Sequence, residues 1–115
     1  MKLYSYSLCS TCRRAAKWLE SNDITFELID ILKTPPSKEM LISAGEQYGN
    51  RKYLLNTSGV AYRSIGSEVI KKMNDKELIE KLLTEPKLIK RPFLFKSDKC
   101  FLVGFNEEKW AEKLL

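Results

Sequence analysis

The sequence predicts an α/β protein: one domain on a small mixed sheet, flanked by helices, with a helical insertion between its two halves. Three observations carry this prediction. First, a short apolar run, Lys2-Leu3-Tyr4-Ser5-Tyr6, leads into Cys9-Ser10-Thr11-Cys12, then an amphipathic helical pattern, then a second strand-like run. Second, two later apolar runs, Pro92-Phe93-Leu94-Phe95 and Cys100-Phe101-Leu102-Val103, are joined by hairpin residues and followed by a last helical pattern. Third, the stretch between these halves reads as several short helices punctuated by Pro and Gly. The core is expected in residues 1–33 and 88–115, and the insertion in about 34–87. At 115 residues the chain fits a single domain, and the insertion is too short to enclose a core of its own.

The elements follow in order. The first strand is expected to end near Ser7 and the first helix to run from about Arg13 to Ser21, with Cys12, Ala15, Ala16 and Leu19 on one face. Ser21-Asn22-Asp23 stops it. Ile24, Phe26 and Leu28 alternate with polar residues, and Ile29 follows, as in a strand. A helix between two strands makes them parallel neighbours. Lys33-Thr34-Pro35-Pro36 breaks the pattern, and Ser37 can cap a helix with Met40, Leu41, Ala44 and Tyr48 on its inner stripe. Gly49-Asn50 ends that helix. Leu54 and Leu55 make a short apolar step, and Val60 to Lys72 reads as helical pieces around Gly66. Asn74 with Glu77 is a capping-box pattern before Leu78, Ile79, Leu82 and Leu83. Pro86 closes it. Ser97-Asp98-Lys99 supplies the hairpin turn, Gly104 ends the last strand, and Asn106 caps a helix that packs Trp110 and Leu114, with Phe105, on the sheet.

Composition narrows the chemistry. Hydrophobic residues make up 43% of the chain, enough for a core. No apolar run approaches the roughly 18 residues that span a bilayer, and nothing resembles a signal peptide. The protein is therefore expected to be soluble, cytoplasmic and monomeric, with no membrane partner. Twenty Lys and Arg against 15 acidic residues give a net charge of +5. That excess fits a solvated basic surface, or one attracting an oxyanion or an acidic partner. Basic residues alternate with acids, so direct nucleic-acid binding is not expected. There is no histidine. Ser-His-Asp triads, Cys-His pairs and His-ligated metals are excluded.

What remains is thiol chemistry. Three cysteines are too few for an all-Cys zinc site within one chain, and a lone C-x-x-C beside a strand-helix-strand pattern favours a thioredoxin-like redox motif. At a strand-to-helix junction a thiol meets unpaired backbone N–H groups and the positive end of the helix dipole, which favour thiolate. A thiol of pKa about 8.5 is about 3% thiolate at pH 7, whereas one of about 6 is about 90%. Cys9, at the loop edge, is the expected nucleophile and Cys12 the resolving thiol, with Arg13, Arg14 and Lys17 as nearby charges. Two inert buried cysteines, or a zinc half-site shared between chains, are the alternatives. Arg91-Pro92 at a strand entrance offers an arginine fork for an oxyanion or carboxylate. A cis bond that brings Lys90-Arg91 to Cys9, and a trans bond with a solvated arginine, remain open. Cys100, in an apolar run, reads as a small core residue.

The chain resembles the arsenate reductase (ArsC)/Spx family over nearly its whole length. Tyr4 to Ala15, Pro35-Pro36-Ser37, Leu55-Asn56-Thr57-Ser58-Gly59 with Tyr62-Arg63, Leu88-Ile89-Lys90-Arg91-Pro92 and Val103-Gly104-Phe105 carry the likeness. The resemblance implies a thioredoxin-like, glutaredoxin-like four-stranded mixed sheet and no bound cofactor. It also implies thiol chemistry on a small-molecule or protein disulfide or an oxyanion, with glutathione, glutaredoxin or thioredoxin as reductant. In arsenate reductases of this type the first cysteine attacks arsenate and three arginines hold it. Cys9 and Arg91 match; Asn56 and Phe105 stand where the other two arginines would be. The Spx branch has C-x-x-C and an Arg-Pro pair, binds the C-terminal domain of the RNA polymerase α subunit and senses oxidation through its disulfide. The expected function is a thiol–disulfide oxidoreductase, with an Spx-type regulator as the alternative. The expected site is Cys9 and Cys12 as reacting thiols, Arg91, Pro92 and Arg13 as substrate-binding residues, and no metal.

Overall fold

A computed structural model describes residues 1–115. Strand β1 (Lys2–Ser5) leads through helix α1 (Ser10–Ser21) to β2 (Glu27–Asp30). The insertion follows: α2 (Lys38–Tyr48), a 3₁₀ turn Arg51–Leu54, α3 (Val60–Ile65), α4 (Ser67–Lys72), α5 (Asp75–Thr84) and a 3₁₀ turn Pro86–Leu88. The hairpin β3 (Phe93–Ser97) and β4 (Cys100–Val103), then α6 (Glu107–Leu114), complete the chain. The four strands lie in the order β2-β1-β3-β4. β1 and β2 are parallel, as a helical crossover requires, and the β1–β3 and β3–β4 pairs are antiparallel.

The alternation of strand side chains divides the core in two. One face presents Leu3, Leu94 and Leu102 to Ala15 and Leu19 of α1 and Trp110 of α6. The other presents Tyr4, Phe93, Phe101 and Val103 to Leu41 and Ala44 of α2 and Leu78 and Leu82 of α5. The insertion therefore covers a face of the sheet that the other helices leave bare, and shares its core. Burying one such leucine contributes roughly 1.5–3 kcal/mol, so the two layers are held by hydrocarbon area.

Local chemistry places the helix ends. Ser37 Oγ accepts the Met40 N–H, and Gly49 ends α2 with φ +66°, a conformation that favours glycine. Asn74 and Glu77 form a reciprocal capping box on α5. Asn106 Oδ1 accepts the Lys109 N–H at the start of α6. One device is purely tertiary. On the outer edge of β4 the Gln47 amide pairs with both the C=O and the N–H of Phe101 at 2.8 and 2.7 Å. The Tyr48 hydroxyl accepts the Val103 N–H at 2.9 Å and donates to the Phe101 carbonyl at 3.3 Å. Two side chains of α2 thus stand in for a missing neighbour strand and blunt that edge.

Three expectations need correction. α1 starts at Ser10, not near Arg13, because Cys9 itself serves as its N-cap. β2 spans only Glu27–Asp30, and Leu28 is 62% exposed, because β2 is an edge strand whose outer end no helix covers. Cys100 is half-buried rather than a core residue, because it opens β4 beside the exposed hairpin turn. No helix is long and apolar enough to cross a membrane.

Candidate thiol site

The site is built where β1 ends. The Cys9 N–H donates to the Tyr6 carbonyl at 3.0 Å, which folds the chain over Ser7 and Leu8. Cys9 keeps an extended backbone, and its Sγ accepts the Cys12 N–H at 3.3 Å. The sulfur thus occupies the position usually filled by a Ser or Asp oxygen at a helix start. An acceptor at that end meets the positive pole of the helix. Half-burial by itself raises the Cys9 pKa. Hydrogen bonds from the Cys12 thiol and amide, and then the hydrogen bond and charge of Arg91, outweigh it, so the thiol lies below the ordinary 9.0.

Cys12 is the opposite case. It is fully buried on the inner face of α1. Burial first, then its hydrogen bond to Cys9 and the nearby Cys9 charge, push its pKa up to about 11, against weaker help from the Tyr6 amide and the Ser5 hydroxyl. All three cysteines are free thiols. The pair is thus polarised, with one sulfur disposed to ionise and its neighbour holding a proton against it.

The Arg91-Pro92 bond is cis, and Pro92 is buried. The Arg91 guanidinium lies 5.0 Å over the Tyr6 ring and donates to the Lys87 carbonyl at 3.2 Å. The structure therefore brings Cys9, Cys12, Arg91 and Pro92 into one region. Arg13 sits differently. Its guanidinium donates to the Ser7 carbonyl at 2.7 Å and braces the turn before Cys9. Arg14, one residue and about 100° further round the helix, lines the cleft instead.

That cleft has a volume of about 720 Å³ and runs from Cys9 toward Tyr53 on one side and α6 on the other. Arg14, Lys90, Arg91 and Lys109 line it, and no Asp or Glu does. Lys90 is held in place. Its Nζ lies 5.5 Å over the Tyr53 ring, which stacks on Tyr48 at 5.0 Å. Its stem crosses Gly104, where a Cβ would come within 2.9 Å of Lys90 Cε and where φ is +74°. Asn56 is locked into its own loop: Ser58 Oγ donates to its Oδ1 at 3.3 Å, and Gly59 packs on its amide. Phe105 packs edge-on against Trp110 at 5.0 Å. Tyr6, Tyr53 and Lys109 are site residues the sequence did not single out; no spacing rule links them to Cys9. No group of three or more His, Cys, Asp or Glu side chains is placed to share a metal ion.

A β2-β1-β3-β4 mixed sheet, with a dithiol at the first helix start and a cis-proline entering β3, defines a thioredoxin-like thiol protein. The comparison with known proteins narrows this. The ArsC family model matches residues 4–113, so the chain belongs to the ArsC family. The Bacillus subtilis protein YusI is 39% identical over 97% of this chain and 96% of its own length. The crystal structure of a "possible arsenate reductase" from Streptococcus mutans UA159 superposes with a TM-score of 0.86 at 33% identity, covering 96% of each chain. The global transcriptional regulator Spx of Lactiplantibacillus plantarum is 28% identical over 93% of this chain and 80% of its own length.

Proposed function

We propose that this ArsC-family protein is a thiol–disulfide oxidoreductase in which Cys9 attacks and Cys12 resolves. The observation that carries the reading is the polarised pair, a half-buried Cys9 sulfur accepting the Cys12 N–H beside Arg91, over a buried Cys12 that keeps its proton. The Cys9 thiolate attacks one sulfur of a disulfide. A Cys9–substrate bond forms, the substrate S–S bond breaks, and the leaving thiolate takes up a proton. Cys12 then gives up its proton and attacks the Cys9 sulfur. The second substrate thiol leaves, and two electrons have passed from the dithiol to the substrate. A reductant of the glutathione, glutaredoxin or thioredoxin class returns them. Arg91 orients an anionic group of the substrate beside the sulfur.

Arsenate is a weaker fit. The reading from the family needs three arginines, and here Asn56 is tied into its loop and Phe105 into the aromatic cluster on α6. Each missing charge-assisted contact forgoes about 1.5–3 kcal/mol.

The test is exchange with hydroxyethyl disulfide coupled to glutathione. Turnover is expected, with Cys9→Ser inactive and with Cys12→Ser, mixed with hydroxyethyl disulfide in the absence of glutathione, arrested as a mixed disulfide visible by mass spectrometry. An ordinary Cys9 pKa together with no exchange would refute the reading. A second reading is a redox-dependent regulator. It is supported by relatives named Regulatory protein MgsR and Spx. Capture of the RNA polymerase α C-terminal domain under oxidising but not reducing conditions would favour it, and no capture in either state would dismiss it.

A further inference from the structure

We infer that the thiol cleft is a docking surface for an acidic polypeptide segment that presents its disulfide to Cys9. This rests on the thiol-exchange reading and names the kind of substrate.

The four cations of the cleft, Arg14, Lys90, Arg91 and Lys109, face no carboxylate within its walls. None takes part in the three salt bridges of the protein, which join Arg51 to Asp75, Lys71 to Glu68 and Lys81 to Glu85. The adjoining groove between α1 and α6 is different: Glu107 and Glu108 stand there with Lys17 and with Arg14, which borders both hollows, so the uncompensated cations of the thiol cleft are Lys90, Arg91 and Lys109. The imbalance is therefore local to the thiol. Two of the cations are also seated: Lys90 lies over Tyr53 and against Gly104, and Arg91 lies over Tyr6. Unpaired cations of one sign around a cleft concentrate anions there.

Leu8, beside Cys9, is 76% exposed; Val60, next in chain to the cleft residue Gly59, is 70% exposed. Tyr53 is also exposed. Leu8 and Tyr53 belong to the cleft wall itself, so a chain laid along the cations meets apolar surface on the same wall. A small anionic disulfide satisfies the cations and leaves this rim wet. A polypeptide bearing carboxylates and an apolar residue near its cysteine meets both. The peptide disulfide gains two electrons and leaves as thiol, Cys9–Cys12 becomes a disulfide, and a glutathione- or thioredoxin-class thiol restores it.

The experiment uses the full reduced chain in single turnover. The probes are two cysteine peptides, each a mixed disulfide with 2-nitro-5-thiobenzoate, one flanked by glutamates and a leucine, the other by lysines and a leucine. The acidic peptide is expected to react about tenfold faster at low salt, with the two rates converging near 1 M salt. The double variant Lys90→Glu/Lys109→Glu is expected to invert that order. Equal rates for the two peptides overturn the inference while leaving thiol exchange standing. Glutathione disulfide reacting as fast as the acidic peptide also overturns it, because a small anion would then suffice. No exchange with any probe, neutral hydroxyethyl disulfide included, overturns the thiol-exchange reading and this one with it.

Discussion

Replacing Arg91 by methionine keeps most of the side chain's hydrocarbon and removes its charge and donor fork. In the native site that guanidinium is held between the Tyr6 ring at 5.0 Å and the Lys87 carbonyl at 3.2 Å, and its donors and charge help hold the Cys9 thiol below its ordinary pKa. A charge-assisted hydrogen bond contributes about 1.5–3 kcal/mol when fully desolvated. Cys9 is only half-buried, and solvent screening leaves about 1 kcal/mol. That corresponds to about a fivefold change in thiolate population. The assay is the second-order rate of iodoacetamide alkylation between pH 6 and 10, with Cys12 and Cys100 replaced by alanine in parallel to assign the signal. Arg91→Met should alkylate about fivefold more slowly near pH 7 and approach the native rate at high pH, where both sulfurs are ionised. Arg91→Lys should fall between, since it restores charge without the fork. If Arg91→Met matched the native rate at pH 7, the arginine would have no hold on the sulfur, and the N-cap contact alone would have to account for its reactivity.

Three other outcomes follow from the same geometry. Alkylation of native protein should rise in two phases, Cys9 with a midpoint below 9.0 and Cys12 only near 11, and a single phase near 9.0 would deny the asymmetry. Because folded Cys12 keeps its proton up to about 11 while an unfolded thiol loses it near 9.0, the native state holds the extra proton between those values. Its contribution to stability is complete below 9.0 and is lost as pH rises through about 11; a Cys12→Ala variant should show a flatter stability–pH curve in that window by urea denaturation. Tyr48→Phe leaves the buried-edge Val103 N–H without its acceptor and should cost about 1–3 kcal/mol, read as a Tm fall of several degrees by calorimetry, with hydrogen exchange accelerated at Val103. Asn74→Ala removes one half of the capping box on α5 and should cost about 1 kcal/mol in the same melts without altering Cys9 alkylation.

Much of this arrangement could be read along the chain because its causes are local. The strand-helix-strand start follows from alternating and helical periodicities, and the caps at Ser37, Asn74 and Asn106 follow from side chains that reach their own backbone. Cys9 and Cys12 stand one helical turn apart, so their opposite environments were legible from the amphipathic pattern of α1. Arg13 and Arg14 were not distinguishable by such means: neighbours on a helix face different directions, and only the packing of α1 decided that Arg14 enters the cleft while Arg13 binds the Ser7 carbonyl. Leu28 alternates like its inner neighbours and is still exposed, because periodicity marks a face and not whether anything covers it.

The residue order by itself determined that a thiol would stand near the start of the first helix and that apolar strands would flank it, since helical and strand periodicities are set over a few residues. Only the tertiary structure decided what surrounds that thiol. Arg91 over Tyr6, Lys90 across Gly104 and Lys109 from the last helix converge on Cys9 from positions 81 to 100 residues further along the chain. Charge acts through space, and the distances that set it exist only once the sheet has brought these segments together.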